Sequence, residues 1–288
     1  EEDSVTDFID SSTFGTVVHG AMEKLYGREP RHIDSAFFDR YLRNKNKTYV
    51  ETIELEKVVT YAVNKYYKRL DESRCYEKPT DEADLIAKIV MYYVKNALIQ
   101  DHRLGAFDYE ASEKELAFNW DMGDGVSFNF KCFIDRIDFV EGKLRIVDYK
   151  TGSDDVQISK PDDFEDLFAP DSNGAHKKAL LQLLLYCNAY ATHEHYADDI
   201  TPVIYKFRDV DKCLNGKYDI QQSYLNGKSI RYKPVDGYLN DLKNDKFLER
   251  IRKVIRDIFD RDVPFVQTEH KNRCLYCQFN KICSRSED

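Results

Sequence analysis

The 288 residues are 42% hydrophobic and 13% aromatic, which excludes a disordered or low-complexity chain and is ample for one large packed domain or two small ones. A net charge of -9 counts against broad non-specific affinity for polyanions, although Lys45, Lys47 and the stretch from Lys65 to Arg69 offer local basic patches. No apolar run reaches transmembrane length, the opening Glu1 and Glu2 do not begin a signal peptide, and seven cysteines without an export signal favour reduced thiols over disulfides, so a cytoplasmic location is expected. The first residue is not Met, and the chain is read as a piece of something longer.

In chain order, Ser11 to Thr13 offer cap-type residues before an apolar-periodic run, Val17, Val18, Met22 and Leu25, which predicts a helix to about Tyr26. His19 and Glu23 share one face of it, and Gly15 would admit another backbone; the plain alternative is a capped surface helix with a solvated His–Glu pair. Residues 51–71 and 81–103 have helical spacing and are separated by Lys78, Pro79, Thr80 and Asp81. From Ser112 the period becomes two: Leu116 and Phe118 lie on one face, Glu113, Glu115 and Ala117 on the other, and a Gly123-Asp124-Gly125 turn leads into Val126, Phe128, Phe130, Cys132 and Ile134. Asp135 falls on the face opposite that apolar set.

The run Leu144, Ile146, Asp148, Lys150 alternates with Arg145, Val147 and Tyr149, so Asp148 and Lys150 share a strand face. A turn at Glu141, Gly142 and Lys143 predicts a hairpin that brings Asp135 back towards Asp148, with Asp138 read as a turn former. Two carboxylates beside a lysine suit a hard divalent cation acting on phosphate. After Gly152 a polar loop of roughly twenty residues is long enough to gate a site. Ala175 to Tyr190 is a helix apolar nearly all round, with Gln182, Tyr186 and Tyr190 at four-residue intervals. Thr201 to Phe207 reads as a strand, Asn215-Gly216 and Asn226-Gly227 as turns, and Tyr238 to Phe259 as an amphipathic helix. Cys274, Cys277 and Cys283 gather three soft ligands suited to zinc or an iron–sulfur cluster, one short of a tetrathiolate set.

Taken together, Gly15-x-x-x-His19, Asp135 within Ile134 to Asp138, Asp148-Tyr149-Lys150-Thr151-Gly152 and Gln182-x-x-x-Tyr186 resemble the RecB-type branch of the PD-(D/E)XK nucleases. The resemblance spans residues 15–283, and the terminal C-x2-C-x5-C is similar to that of the nuclease domain in AddB-type helicase–nucleases. It implies an α/β fold with a restriction-endonuclease-like core, a central mixed sheet flanked by helices, and a helical accessory lobe. On this reading residues 1–288 form a single nuclease domain, with the lobe at 28–110, the catalytic core at 111–210, and a C-terminal helix and Cys-rich tail at 211–288. The resemblance implies Mg²⁺ or Mn²⁺ held by His19, Asp135, Asp148 and the carbonyl of Tyr149. Lys150 would steady the attacking water or the scissile phosphate, and Gln182 and Tyr186 would hold the site or the DNA backbone.

The resemblance further implies a 4Fe-4S cluster in the longer protein, on Cys274, Cys277 and Cys283; it is incomplete here because no cysteine precedes Gly15. Cys132 stands where the family usually has glycine, three residues before the first aspartate. The activity implied is that of a metal-dependent DNA exonuclease in double-strand-break repair, with DNA and a helicase region or subunit as partners and no membrane. The alternatives are a CRISPR-adaptation-type nuclease, which the sequence upstream of Glu1 would identify, and a catalytically inactive DNA-binding scaffold.

Overall fold

A computed structural model describes residues 9–45, 48–152, 157–158, 165–168, 177–208, 221–226, 229–234, 244–274 and 277–285. Its first helix, α1 (Ser11–Tyr26), is capped by Asp10, whose carboxylate accepts from the Thr13 amide at 2.9 Å, and it stops at Gly27, where φ is 76°. There follow β1 (Arg31–Ile33), α2 (Ser35–Tyr41), the hairpin β2 (Leu42–Lys45) and β3 (Thr48–Glu51), and α3 (Ile53–Ala62), which continues as a π-helical turn over Val63–Tyr67. The long α4 (Glu82–Leu104) is followed by the meander β4 (Phe107–Asp121), β5 (Ser127–Val140) and β6 (Lys143–Lys150). The β5–β6 turn uses two positive-φ residues, Glu141 at 53° and Gly142 at 77°, the backbone a tight hairpin needs.

Beyond it lie β7 (Gln157–Ile158), the short α5 (Glu165–Phe168), α6 (Lys178–His193), β8 (Ile200–Lys206), the hairpin β9 (Gln221–Asn226) and β10 (Ser229–Pro234), and α7 (Asn244–Phe259). Most of the segment expected to gate the site, the Asn215-Gly216 turn, and residues 175–176 and 238–243 of the expected helices lie outside the described residues. The main sheet has the order β1-β4-β5-β6-β8; β6 and β8 are parallel, linked across α6, and the other pairs are antiparallel. This mixed sheet with helices on its faces bears out the α/β expectation, including its α-β-β-β-α-β run. No helix among the described residues is long and apolar enough to cross a membrane.

Each face of the sheet buries its own core, as alternation along β6 requires. Val147 and Tyr149 join Tyr205 and Phe207 against α1, α3 and α4, while Leu144 and Ile146 join Ile137 and Ile204 against α6 and α7. Fully buried Arg136 projects into the first core, where it donates to Asp101 of α4 at 2.7 Å and to Asp138 at 2.6 Å. Asp138 also accepts twice from Arg145, and Asp101 accepts from the hydroxyls of Tyr26 and Tyr205. Four charges without water thus satisfy one another, the condition under which burial is tolerable. Asp138 is therefore not a turn former: it is wholly buried and held between two guanidiniums, which keep its carboxyl below the ordinary value against the opposing effect of burial.

Candidate active site

The site lies at the end of β6, where the sheet divides. The β5–β6 ladder stops at the Arg136–Val147 pair, and the next amide of β6 that needs a partner, that of Tyr149, donates to the Asp135 carboxylate at 2.6 Å. Asp135 thus takes the place of a backbone acceptor. The ring of Tyr149 is buried in the first core, which fixes its peptide, and His19 Nε2 of α1 lies 3.0 Å from its carbonyl oxygen. Nδ1 of the same ring faces Asp135 Oδ1 at 3.5 Å and Glu113 Oε1 at 3.8 Å. Glu23 instead binds Arg28, which replaces the expected solvated pair with His19.

Asp148 is 1% exposed, and neither of its buried oxygens accepts a hydrogen bond among the described residues. Lys150 Nζ stands 2.6 Å from Oδ2 but is out of hydrogen-bond alignment, so it pairs with the carboxylate by charge. Burial, and then the nearby Asp135, push the Asp148 carboxyl up to about 7, with Lys150 acting in the opposite sense. Burial also raises Asp135, against the pull of His19, the Tyr149 amide and Lys150. For His19, burial disfavours the imidazolium, but Glu113 and Asp135 together outweigh it and raise the pKa. Lys150 also donates to Gln182 Oε1 at 3.2 Å, and the Gln182 amide donates to the Tyr186 hydroxyl, whose own ionisation burial pushes up to about 12.

The residues singled out from the sequence at positions 19, 135, 148, 149, 150, 182 and 186 therefore meet in one contact network. Glu113 belongs with them and went unnoticed. Ligand atoms of His19, Glu113 and Asp135 lie within 4.8 Å of one another, about the span one ion can bridge. Its only sequence signal is a place in the period-2 pattern. What aims it is a left-handed backbone, φ 48°, beside a register shift in β4, a bulge geometry that redirects side chains. The close approach expected at Gly15 is found at Gly20: a β-carbon at Gly15 would meet only Thr151 Oγ1 at 3.6 Å, whereas one at Gly20 would lie 2.0 Å from the Tyr66 ring.

Nitrogen and carboxylate donors with a buried, unsatisfied Asp148 beside them fit Mg²⁺ or Mn²⁺. The tail thiols do not form such a set. Cys274, Cys277 and Cys283 are free and half-buried, and among the described residues they are not drawn within common ligand reach.

The family model for the PD-(D/E)XK nuclease superfamily matches residues 2–284. One of the two kinds of chain that make up the ATP-dependent helicase/deoxyribonuclease of Clostridium perfringens strain SM101 is 27% identical over 188 residues, covering 60% of this chain and 14% of that protein. Its counterpart in strain ATCC 13124 matches to the same extent. The chain thus spans about one seventh of the length of these curated relatives. No solved structure matches it significantly.

Proposed function

We propose that this chain, which belongs to the PD-(D/E)XK nuclease superfamily, is a divalent-metal-dependent deoxyribonuclease, the exonuclease module of a helicase–nuclease that processes double-strand breaks. The observation that carries the chemistry is Asp148: a carboxylate buried without a hydrogen-bond donor, next to a second carboxylate, is costly unless a cation completes it. The helicase and repair context is supported by the printed names of the relatives.

In this reading His19, Asp135, Asp148 and the Tyr149 carbonyl hold the ion, with Glu113 as a further ligand. Bound Mg²⁺ or Mn²⁺ supplies polarisation of the phosphodiester and a water acidic enough to attack it. Lys150 offsets the negative charge that grows on the phosphate oxygens as the water oxygen bonds to phosphorus and the leaving oxygen departs. Gln182 holds the Lys150 ammonium in place, and Tyr186 fixes the Gln182 amide. The buried ring of Tyr149 anchors the peptide whose amide orients Asp135 and whose carbonyl faces His19.

The test is cleavage of single- and double-stranded DNA with Mg²⁺ or Mn²⁺ by the wild type, Asp148→Ala and Lys150→Ala. Losses of about 10²-fold or more are expected from each variant. Equal activity would refute the site, and a folded wild type that binds DNA but cuts nothing would establish the inactive-scaffold reading.

A further inference from the structure

Beyond Asp135 the β4–β5 ribbon runs on past the sheet, and one of its faces is open to solvent. Ser127, Asn129, Lys131 and Phe133 of β5 lie exposed along it. The aromatic residues of this ribbon otherwise occupy the opposite face, where Trp120, Phe128 and Phe130 pack against one another and the second core. Phe133 is the exception, 45% exposed and on the Asp135 side of the strand. A single exposed apolar side chain needs no explanation by itself; its position and company supply one. Phe133 precedes Asp135 by two residues, about 7 Å along the same strand face. Lys131 Nζ lies 5.1 Å from its ring centroid, steadied by Glu115 at 2.9 Å. An accessible π-face with an ammonium at its side matches the two parts of a nucleotide, the base that stacks and the phosphate that needs a cation.

We propose that Phe133 is the stacking platform for the nucleobase adjoining the phosphodiester held at Asp135 and Asp148, with Lys131 beside that nucleotide's phosphate. This rests on the nuclease reading above and narrows its substrate class: a base can lie on Phe133 only when it has left the duplex stack, so the strand end that enters is unpaired. Because Phe133 is exposed, its replacement leaves both cores intact.

The experiment pairs binding with turnover. Association of the whole chain with a fluorescein-labelled single-stranded oligonucleotide is followed by anisotropy in EDTA, and KM and kcat are measured with Mn²⁺. Phe133→Ala is expected to weaken binding and raise KM by about 5- to 150-fold, the range of one stacked base, with kcat kept within about a factor of two. Phe133→Trp should bind as the wild type does, and Phe133→Leu as the alanine variant does. An oligonucleotide abasic at the stacked position should lose the same factor on the wild type and nothing more on Phe133→Ala. Unchanged binding by Phe133→Ala, or full rescue by leucine, overturns the platform. If the wild type cuts nothing while Phe133→Ala still weakens binding, the platform stands and the nuclease reading fails.

Discussion

Asp148→Asn should make the metal-free protein more stable above pH 7, the reverse of what deletion of a paired charge usually does. Burial, followed by Asp135, pushes the Asp148 carboxyl up to about 7, roughly three pH units above an ordinary aspartate. At 1.36 kcal/mol per unit that is a ceiling of about 4 kcal/mol, with the attraction of Lys150 already included. Asp135 shares the repulsion, so about 2 kcal/mol is expected from one substitution. The sign follows from proton counts. Between about pH 4 and 7 the folded state holds a proton on Asp148 that the unfolded state has lost, so stability falls as pH rises through that window and stays lost above it. Asparagine has no such dependence.

In a chain of this size about 2 kcal/mol corresponds to about 4–8 °C in melting temperature. Thermal melts in EDTA should show the variant above the wild type at pH 8, with the gap closing by about pH 4.5. Mn²⁺ should raise the melting temperature of the wild type and leave that of the variant unchanged, because only the wild type has the carboxylate to bind it. A variant that melts at or below the wild type in EDTA at pH 8 would refute the reasoning, since Asp148 would then be stabilised by something in the folded protein other than a bound cation.

Asp101→Ala leaves Arg136 charged and buried with one carboxylate in place of two, and should cost about 3–5 kcal/mol in urea unfolding; a loss below about 1 kcal/mol would show that water reaches the guanidinium. Gly20→Ala drives a methyl group into the Tyr66 ring and should destabilise by about 1–3 kcal/mol, most of it recovered when Tyr66→Ser is added; absence of rescue would place the strain elsewhere. Glu113→Gln should weaken Mn²⁺ binding about 10-fold by calorimetry without moving the EDTA melting temperature by more than a degree or two, and an unchanged affinity would remove Glu113 from the ligand shell.

The hairpin from Phe133 to Lys150 was legible because its strands bury apolar side chains, which imposes a period of two, and the same parity puts Asp148 and Lys150 on one face. Gln182 and Tyr186 were legible as polar heads on a helix otherwise apolar. What escaped depends on partners remote in sequence. Asp138 looked like part of a turn because Gly142 follows closely; its meaning comes from Arg136 and Arg145 converging on it inside a core. Glu113 gains its position from a local backbone twist that no residue type announces. Gly20 is hidden likewise, since the ring pressed against it comes from a π-helical turn more than forty residues on. β1, at three residues, is too short to display any period.

The salt-linked cluster around Arg136 also limits how the chain can be cut. Deleting residues 28–110 to obtain a minimal catalytic fragment would remove Asp101 together with α3 and α4, whose side chains cover the same sheet face as Arg136. The guanidinium would be left in a half-open hydrocarbon wall, on the residue next to Asp135. Transplanting this catalytic strand pair into another scaffold would meet the same obstacle: the graft works only if α4 travels with it, so the unit of inheritance and of engineering is helix and hairpin together.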